Sequence, residues 1–151
     1  MNLIYPVTFK TYSSGQVGAF FTDVPGAITS GATEIEALDS AQDALVVALS
    51  GYLDDDRPLP TPSKPKRGQR VVVVPPRVAI KLSIYEAMRQ QKMTQAQLGD
   101  LLGVEGRQVR RILDLDHESK LSHLEAALAA VGLRMAVSVS KVSPVDSRVA
   151  A

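Results

Sequence analysis

Apolar and polar positions change period along the chain, and each change marks a new element. Residues 3–9 alternate, with Tyr5, Val7 and Phe9 on one side and Pro6, Thr8 and Lys10 on the other, which is strand spacing. Ser13-Ser14-Gly15 reads as a turn, and Val17, Ala19 and Phe21 mark a second strand. Asp23-Val24-Pro25-Gly26 makes another turn, with a third strand expected over residues 27–31. From Thr33 the period lengthens. Thr33 and Glu36 predict a capping box, and Ile35, Leu38, Ala41, Leu45, Leu49 and Tyr52 predict the buried stripe of a helix running to about Tyr52. Glu34, Glu36, Asp39 and Asp43 fall mainly off that stripe, in the half of the helix where negative charge suits the dipole. Pro58, Pro60, Pro62 and Pro65 then impose an extended segment over 57–69, and Val71–Val74 reads as a strand returning to the first sheet.

The second half is helical. Pro75-Pro76 suits a helix start, and Ile80, Ile84, Ala87 and Met88 give that helix an apolar face. Residues 94–113 read as two short helices around a glycine turn. Thr94 is the N-cap, Leu98 and Leu102 form a core stripe, Gly99 allows close helix crossing, and Gly103 ends the first helix with Val104 plugging the core below. Val109, Ile112 and Leu113 bury the second helix and turn Arg107, Gln108, Arg110 and Arg111 outward. That is a helix-turn-helix pattern with a basic outer face. A further helix is expected to open on a Ser122/Glu125 capping box, with Leu124, Leu128 and Val131 inward and Gly132 as its C-terminal cap. Leu133, Met135, Val137 and Val139 then alternate with polar or small residues, predicting a short strand that pairs with a second copy to form a dimer. Residues 141–151 read as a frayed tail.

Composition narrows the chemistry. The 151 residues include no cysteine, which removes disulfides, thiolate metal sites and cysteine nucleophiles and agrees with a cytoplasmic location. No apolar run approaches the ~20 residues of a membrane span, and no export signal is visible. The formal net charge of +1 conceals a division. Residues 1–60 carry two basic and eight acidic side chains, net −6; residues 61–151 carry fifteen and eight, net +7. A basic half suits DNA and an acidic half suits a basic protein. Asp23, Glu34, Glu36 and Asp39 are the only carboxylates that suggest a two-metal nuclease, and capping and solvation account for them more simply. His117 and His123 have no triad spacing. No catalytic residue, metal ligand or cofactor site is expected.

The 94–113 segment resembles the Xre-like helix-turn-helix class. The whole chain resembles the HicB antitoxins of type II HicAB toxin–antitoxin modules. The resemblance rests on Tyr5-Pro6-Val7, Gly18, Asp23-Val24-Pro25-Gly26-Ala27, Thr29-Ser30-Gly31 and Pro58-Leu59-Pro60, and then on Val74-Pro75 through Val139, including Asp114-Leu115-Asp116-His117 and Ala126-Ala127-Leu128. It implies an α+β N-terminal domain (partial RNase H-like, β-β-β-α-β; residues 1–56 and 70–74) that binds a HicA-type mRNA interferase. A linker (57–69) and an all-α helix-turn-helix domain (75–140) that represses the module's own operon follow. Glu105-Gly106 departs from the wider class, so base contact is expected from Arg107 and Arg111, and phosphate contact from Gln95, Gln108 and Arg110. Toxin contact is expected from Glu34, Glu36, Asp39, Asp43 and Asp54-Asp55-Asp56, and dimerisation from Leu133, Met135, Val137 and Val139. Two other readings stay open: a stand-alone repressor with a ligand-sensing N-terminal domain, and a metal-dependent nuclease.

Overall fold

The computed structural model describes residues 3–141. Its contacts divide the chain into two compact units, one reaching to Val74 and one spanning Pro75–Ser138. In the first unit, β1 (Ile4–Thr11), β2 (Val17–Phe20), β3 (Ile28–Gly31) and β4 (Arg70–Val73) form an antiparallel sheet in the order β3-β2-β1-β4. The eight residues of β1 serve two neighbours: Ile4–Val7 pair with β4, and Thr8–Thr11 pair with β2. Tyr5, Val7, Ala19 and Val72 are buried on the face covered by α1 (Glu34–Asp54).

The buried stripe of α1 is Ala37, Ala41, Leu45 and Leu49, a strict four-residue repeat. Ile35, expected in the core, is half exposed, and Leu38 and Tyr52 are only partly buried. The cause lies at the helix start. A Cβ on Gly31 would sit 2.6 Å from the backbone nitrogen of Ala37, so the first turn of α1 lies directly on the end of β3. That contact puts position 37 innermost and rotates Ile35 outward. Thr33 caps the helix by accepting the Glu36 N–H at 3.2 Å. The Glu36 carboxylate accepts from Ala32 N–H (2.9 Å) rather than from Thr33, so the expected reciprocal box reaches one residue further back.

Residues 57–69 have no regular secondary structure but are tied to the first unit. The Tyr5 hydroxyl donates to the Pro60 carbonyl at 2.7 Å, Asp23 accepts from both Ser63 N–H and its hydroxyl, and the Gln69 amide donates to Thr8 Oγ1. Burial, together with the negative charge of Asp23, pushes the Tyr5 phenol up to about 12. On the other edge of α1, the Gln42 amide donates to the Val73 carbonyl and so covers an acceptor of β4.

The second unit holds α2 (Pro76–Gln91), α3 (Gln95–Leu102), α4 (Gly106–Leu113) and α5 (Leu121–Ala130). Ile84, Met88, Leu98, Val109, Ile112, Leu124 and Leu128 form the centre of its core. Three of its helices end alike. After α2, α3 and α5, residues Lys92, Gly103 and Gly132 take left-handed φ, and paired backbone hydrogen bonds close the turn in the Schellman pattern. The Ser122/Glu125 capping box is not formed. The helix starts at Leu121 with Lys120 as an N-cap that makes no side-chain cap bond, which puts Ser122 inside the first turn.

The strand expected from Leu133 to Val139 is absent: residues 133–140 carry no regular secondary structure. A strand exists only through its ladder, and among the described residues this segment has no strand partner. Met135 is partly buried against the helical core, whereas Leu133, Val137 and Val139 are exposed. The tail expected over 141–151 lies outside the described residues, apart from Lys141.

The Gly31 contact gives a direct test. Gly31→Ala is expected to lower unfolding free energy by about 1–3 kcal/mol, because the added methyl meets backbone that cannot yield. Chemical denaturation checks this, and an unchanged midpoint refutes the close approach.

Candidate nucleic-acid interface and acidic helix face

The basic surface is built from α3, the turn after it and α4. Thr94 and Gln97 form a reciprocal capping box at 3.1 and 2.8 Å, which fixes where α3 begins. Gly103, with φ 65°, closes α3 through Val104 N–H to the Gly99 carbonyl (3.0 Å). A Cβ on Gly99 would lie 3.1 Å from the Val104 carbonyl and 3.3 Å from Val109 Cγ2, so α4 packs against bare backbone there. With Val109 and Ile112 buried, helical geometry puts Arg107, Arg110 and Arg111 on the opposite side of α4, and all three are exposed. Among the described residues none of the three is in an ion pair. Arg110 lies across Gly106, its guanidinium 3.5 Å from where a Cβ would stand. Gln95 is exposed on the first turn of α3.

Gln108 is placed differently from its neighbours. It is partly buried and, with Arg111, lines a depression of about 300 Å³ beside α4. His117, Ser119, Lys120 and His123 complete the polar wall over Leu102 and Val104, with Glu118 the one carboxylate. This donor-rich hollow adjoins the arginine face and was not evident from periodicity, because it is assembled across the turn between α4 and α5.

Sequence reasoning also passed over Lys81. It counts as one more polar position on α2, yet it is fully buried. Its ammonium donates to the carbonyls of Arg111, Asp114 and His117 at 2.9, 2.6 and 2.7 Å. Burial pulls the ammonium down to about 8, opposed by the nearby charge of Asp114 and reinforced by that of Arg77. A lysine four residues after the helix-opening Arg77, on the edge of an apolar stripe, is a faint signal that only the fold makes legible.

On the first unit, Ile35, Asp39, Asp43 and Val47 follow one another at four-residue spacing on the outer side of α1, and Asp54 continues the line. Ile35 is 50% and Val47 70% exposed, so two apolar side chains flank two carboxylates that have no ion-pair partner among the described residues. The structure does not bring all the expected acidic residues into this line. Glu34 is 3.8 Å from Arg70, and Glu36 serves the helix cap. Asp55 pairs with Arg57 at 3.3 Å, and that guanidinium also lies 4.1 Å from the centre of the Tyr52 ring. Asp23 is committed to Ser63. Three of the four carboxylates that suggested a nuclease therefore have structural tasks, and among the described residues no group of three or more potential ligands is arranged to hold a metal. No helix among the described residues is long and apolar enough to cross a membrane.

Comparison with known proteins points to one family. The profile of the HicB-like antitoxin of bacterial toxin–antitoxin systems matches residues 4–83. Antitoxin HicB 2 of Photorhabdus laumondii is 40% identical over 131 residues, covering 87% of this chain and 92% of its own. Antitoxin HicB of Escherichia coli K12 is 32% identical over 133 residues, covering 88% and 96%. Antitoxin HicB of Pseudomonas fluorescens is 35% identical over 126 residues, covering 83% and 86%.

Proposed function

The chain belongs to the HicB-like antitoxin family, whose role is non-enzymatic, and from that premise we propose that it neutralises a HicA-type toxin with its first unit and represses its own operon with its second. The first unit is read as a partial RNase H-like domain and α3–α4 as a helix-turn-helix, with the cytoplasm as the site of action. The observation that carries the DNA-binding half is the outer face of α4: Arg107, Arg110 and Arg111, exposed and without ion pairs among the described residues, behind a turn held by Gly99 and Gly103. Guanidinium forks suit guanine edges in the major groove. Arg107 and Arg111 read bases; Arg110 and Gln95 hold phosphates. Gln108, partly buried at the rim of the hollow, sets register together with Lys120.

The antitoxin half rests on the outer line of α1. Asp39, Asp43 and Asp54 meet a basic RNA-binding groove on the toxin, while Ile35 and Val47 supply apolar contact beside the charges. Such a mixed surface gives fast, salt-sensitive capture, and occupation of the groove excludes mRNA. Residues 133–139 supply the dimer: Leu133, Val137 and Val139 are exposed in this single chain and gain a ladder when a second copy supplies the partner strand. A dimer then reads two half-sites about one helical turn apart.

Each part has its measurement. Arg107→Ala and Arg111→Ala are each expected to cost about 1–3 kcal/mol of discrimination against the wrong base pair, read by binding to a set of singly altered duplexes. Arg110→Ala is expected to weaken all duplexes alike and to lower the salt slope by about 1. An Arg107→Ala chain that keeps wild-type preference removes Arg107 from the base-reading set. Reversing charge with Asp39→Lys and Asp43→Lys is expected to weaken toxin binding about tenfold or more and to abolish growth rescue on co-expression with the toxin. Unaltered affinity moves the contact elsewhere. Removal of residues 133–151 is expected to halve the molar mass in light scattering, and an unchanged mass refutes strand exchange.

A further inference from the structure

The ammonium of Lys81 lies against the C-terminal end of the helix that carries the arginines. The last carbonyls of any α-helix lack intrahelical donors and carry the negative end of its dipole. In α4 the Arg111 carbonyl is one of these, and the chain then turns through Asp114 and His117, whose carbonyls point the same way. Lys81 brings three N–H donors from α2 to these three acceptors, a complete match for a protonated ammonium. Asp114 N–H to Arg110 and His117 N–H to Asp114 continue the same turn, and Ser119 adds a longer bond to the Arg111 carbonyl at 3.3 Å. The side chain that holds the turn is thus anchored on a different helix from the one it holds.

We propose that Lys81 is a positioning residue for DNA reading: by joining α2 to the C-terminal end of α4 and the turn behind it, it fixes the rotation at which Arg107 and Arg111 are presented. The inference rests on the reading of α4 as the DNA-contacting helix. The Arg111 carbonyl keeps Ser119 and the Asp114 carbonyl keeps the His117 N–H, so it is the tie between α2 and this turn that weakens when a donor is lost, whether by substitution or by deprotonation. The charged groups around the ammonium are Arg77 on α2, Asp114 after α4, and Glu118, which pairs with Arg77 at 3.4 Å; Arg111 and His117 are linked to it through their carbonyls.

Protonation separates positioning from mere stability. The ammonium titrates at about 8 in the folded chain against the usual 10.5. Between those values the unfolded chain holds more protons, so raising pH through this window favours the folded state. DNA reading, in contrast, needs the third donor and weakens as pH passes 8. A merely structural lysine would show the same stability trend and leave the preference unchanged.

The test uses the full chain with a duplex from the region upstream of its gene and a random duplex of equal length. Their affinity ratio removes charge effects common to both. Wild type is expected to prefer its upstream duplex at pH 7, to lose that preference progressively to pH 9 without loss of thermal stability, and to show reduced amide protection at Asp114 and His117 over the same range. Lys81→Met is expected to lower the ratio about tenfold at pH 7 and to remove its pH dependence. If wild type shows no preference at pH 7, the DNA-binding reading itself falls. If preference is present but unchanged once the Lys81 ammonium, followed by its own NMR titration, has lost its proton, with constant protection at Asp114 and His117, Lys81 has no positioning role; that series decides the matter even if Lys81→Met does not fold. A folded Lys81→Met chain that keeps the wild-type ratio overturns the positioning role equally.

Discussion

The approach of α4 to α3 at Gly99 sets the orientation of the basic surface. The Val104 carbonyl and the Val109 side chain occupy space that any side chain at position 99 would fill. That contact, closed by the left-handed Gly103, leaves the buried pair Val109 and Ile112 one way to face the core. The arginines are outward because the valine and isoleucine are inward. A shift of one residue in this helix would turn the pattern by about 100° and bring charge onto the core.

The first unit applies the same logic with the opposite charge. Gly31 lets the first turn of α1 settle on β3, the small Ala37 and Ala41 lie against the sheet, and the repeat 37-41-45-49 leaves Ile35, Asp39, Asp43 and Val47 on the far side. The stretch 57–69 is fastened across this unit through Tyr5, Asp23 and Thr8. It therefore belongs to the first unit as much as it precedes the second.

Local signals were legible in the sequence where the physics is local. Alternation in β1, Thr33 and Thr94 as N-caps, Gly103 and Gly132 as left-handed ends, and Gly99 as a packing residue all depend on a few neighbouring positions. The misreadings arose where packing rather than the local pattern decides. Ile35 looks like core until Gly31 fixes the rotation of α1. Ser122 looks like a cap until Lys120, two residues earlier, adopts the extended backbone of the N-cap. Residues 133–139 are a different case: they carry a strand's alternation without regular secondary structure in the single chain, and the ladder expected for them needs a second copy. Lys81 gave only a faint signal, since its three acceptors lie 30 to 36 residues away on another helix and turn. Of the expected site, the arginine face was readable because α4 is short and strongly one-sided. The acidic line was only half readable, because exposure of Ile35 and Val47 is a tertiary outcome.

The central claim is that the two units address opposite partners through opposite charge. Amide chemical-shift mapping of the full chain against its own upstream duplex tests it most directly. The account predicts perturbations on α3, α4 and the turn through Lys120, with α1 unmoved. Perturbations centred on α1, or an identical pattern with a random duplex, would contradict it.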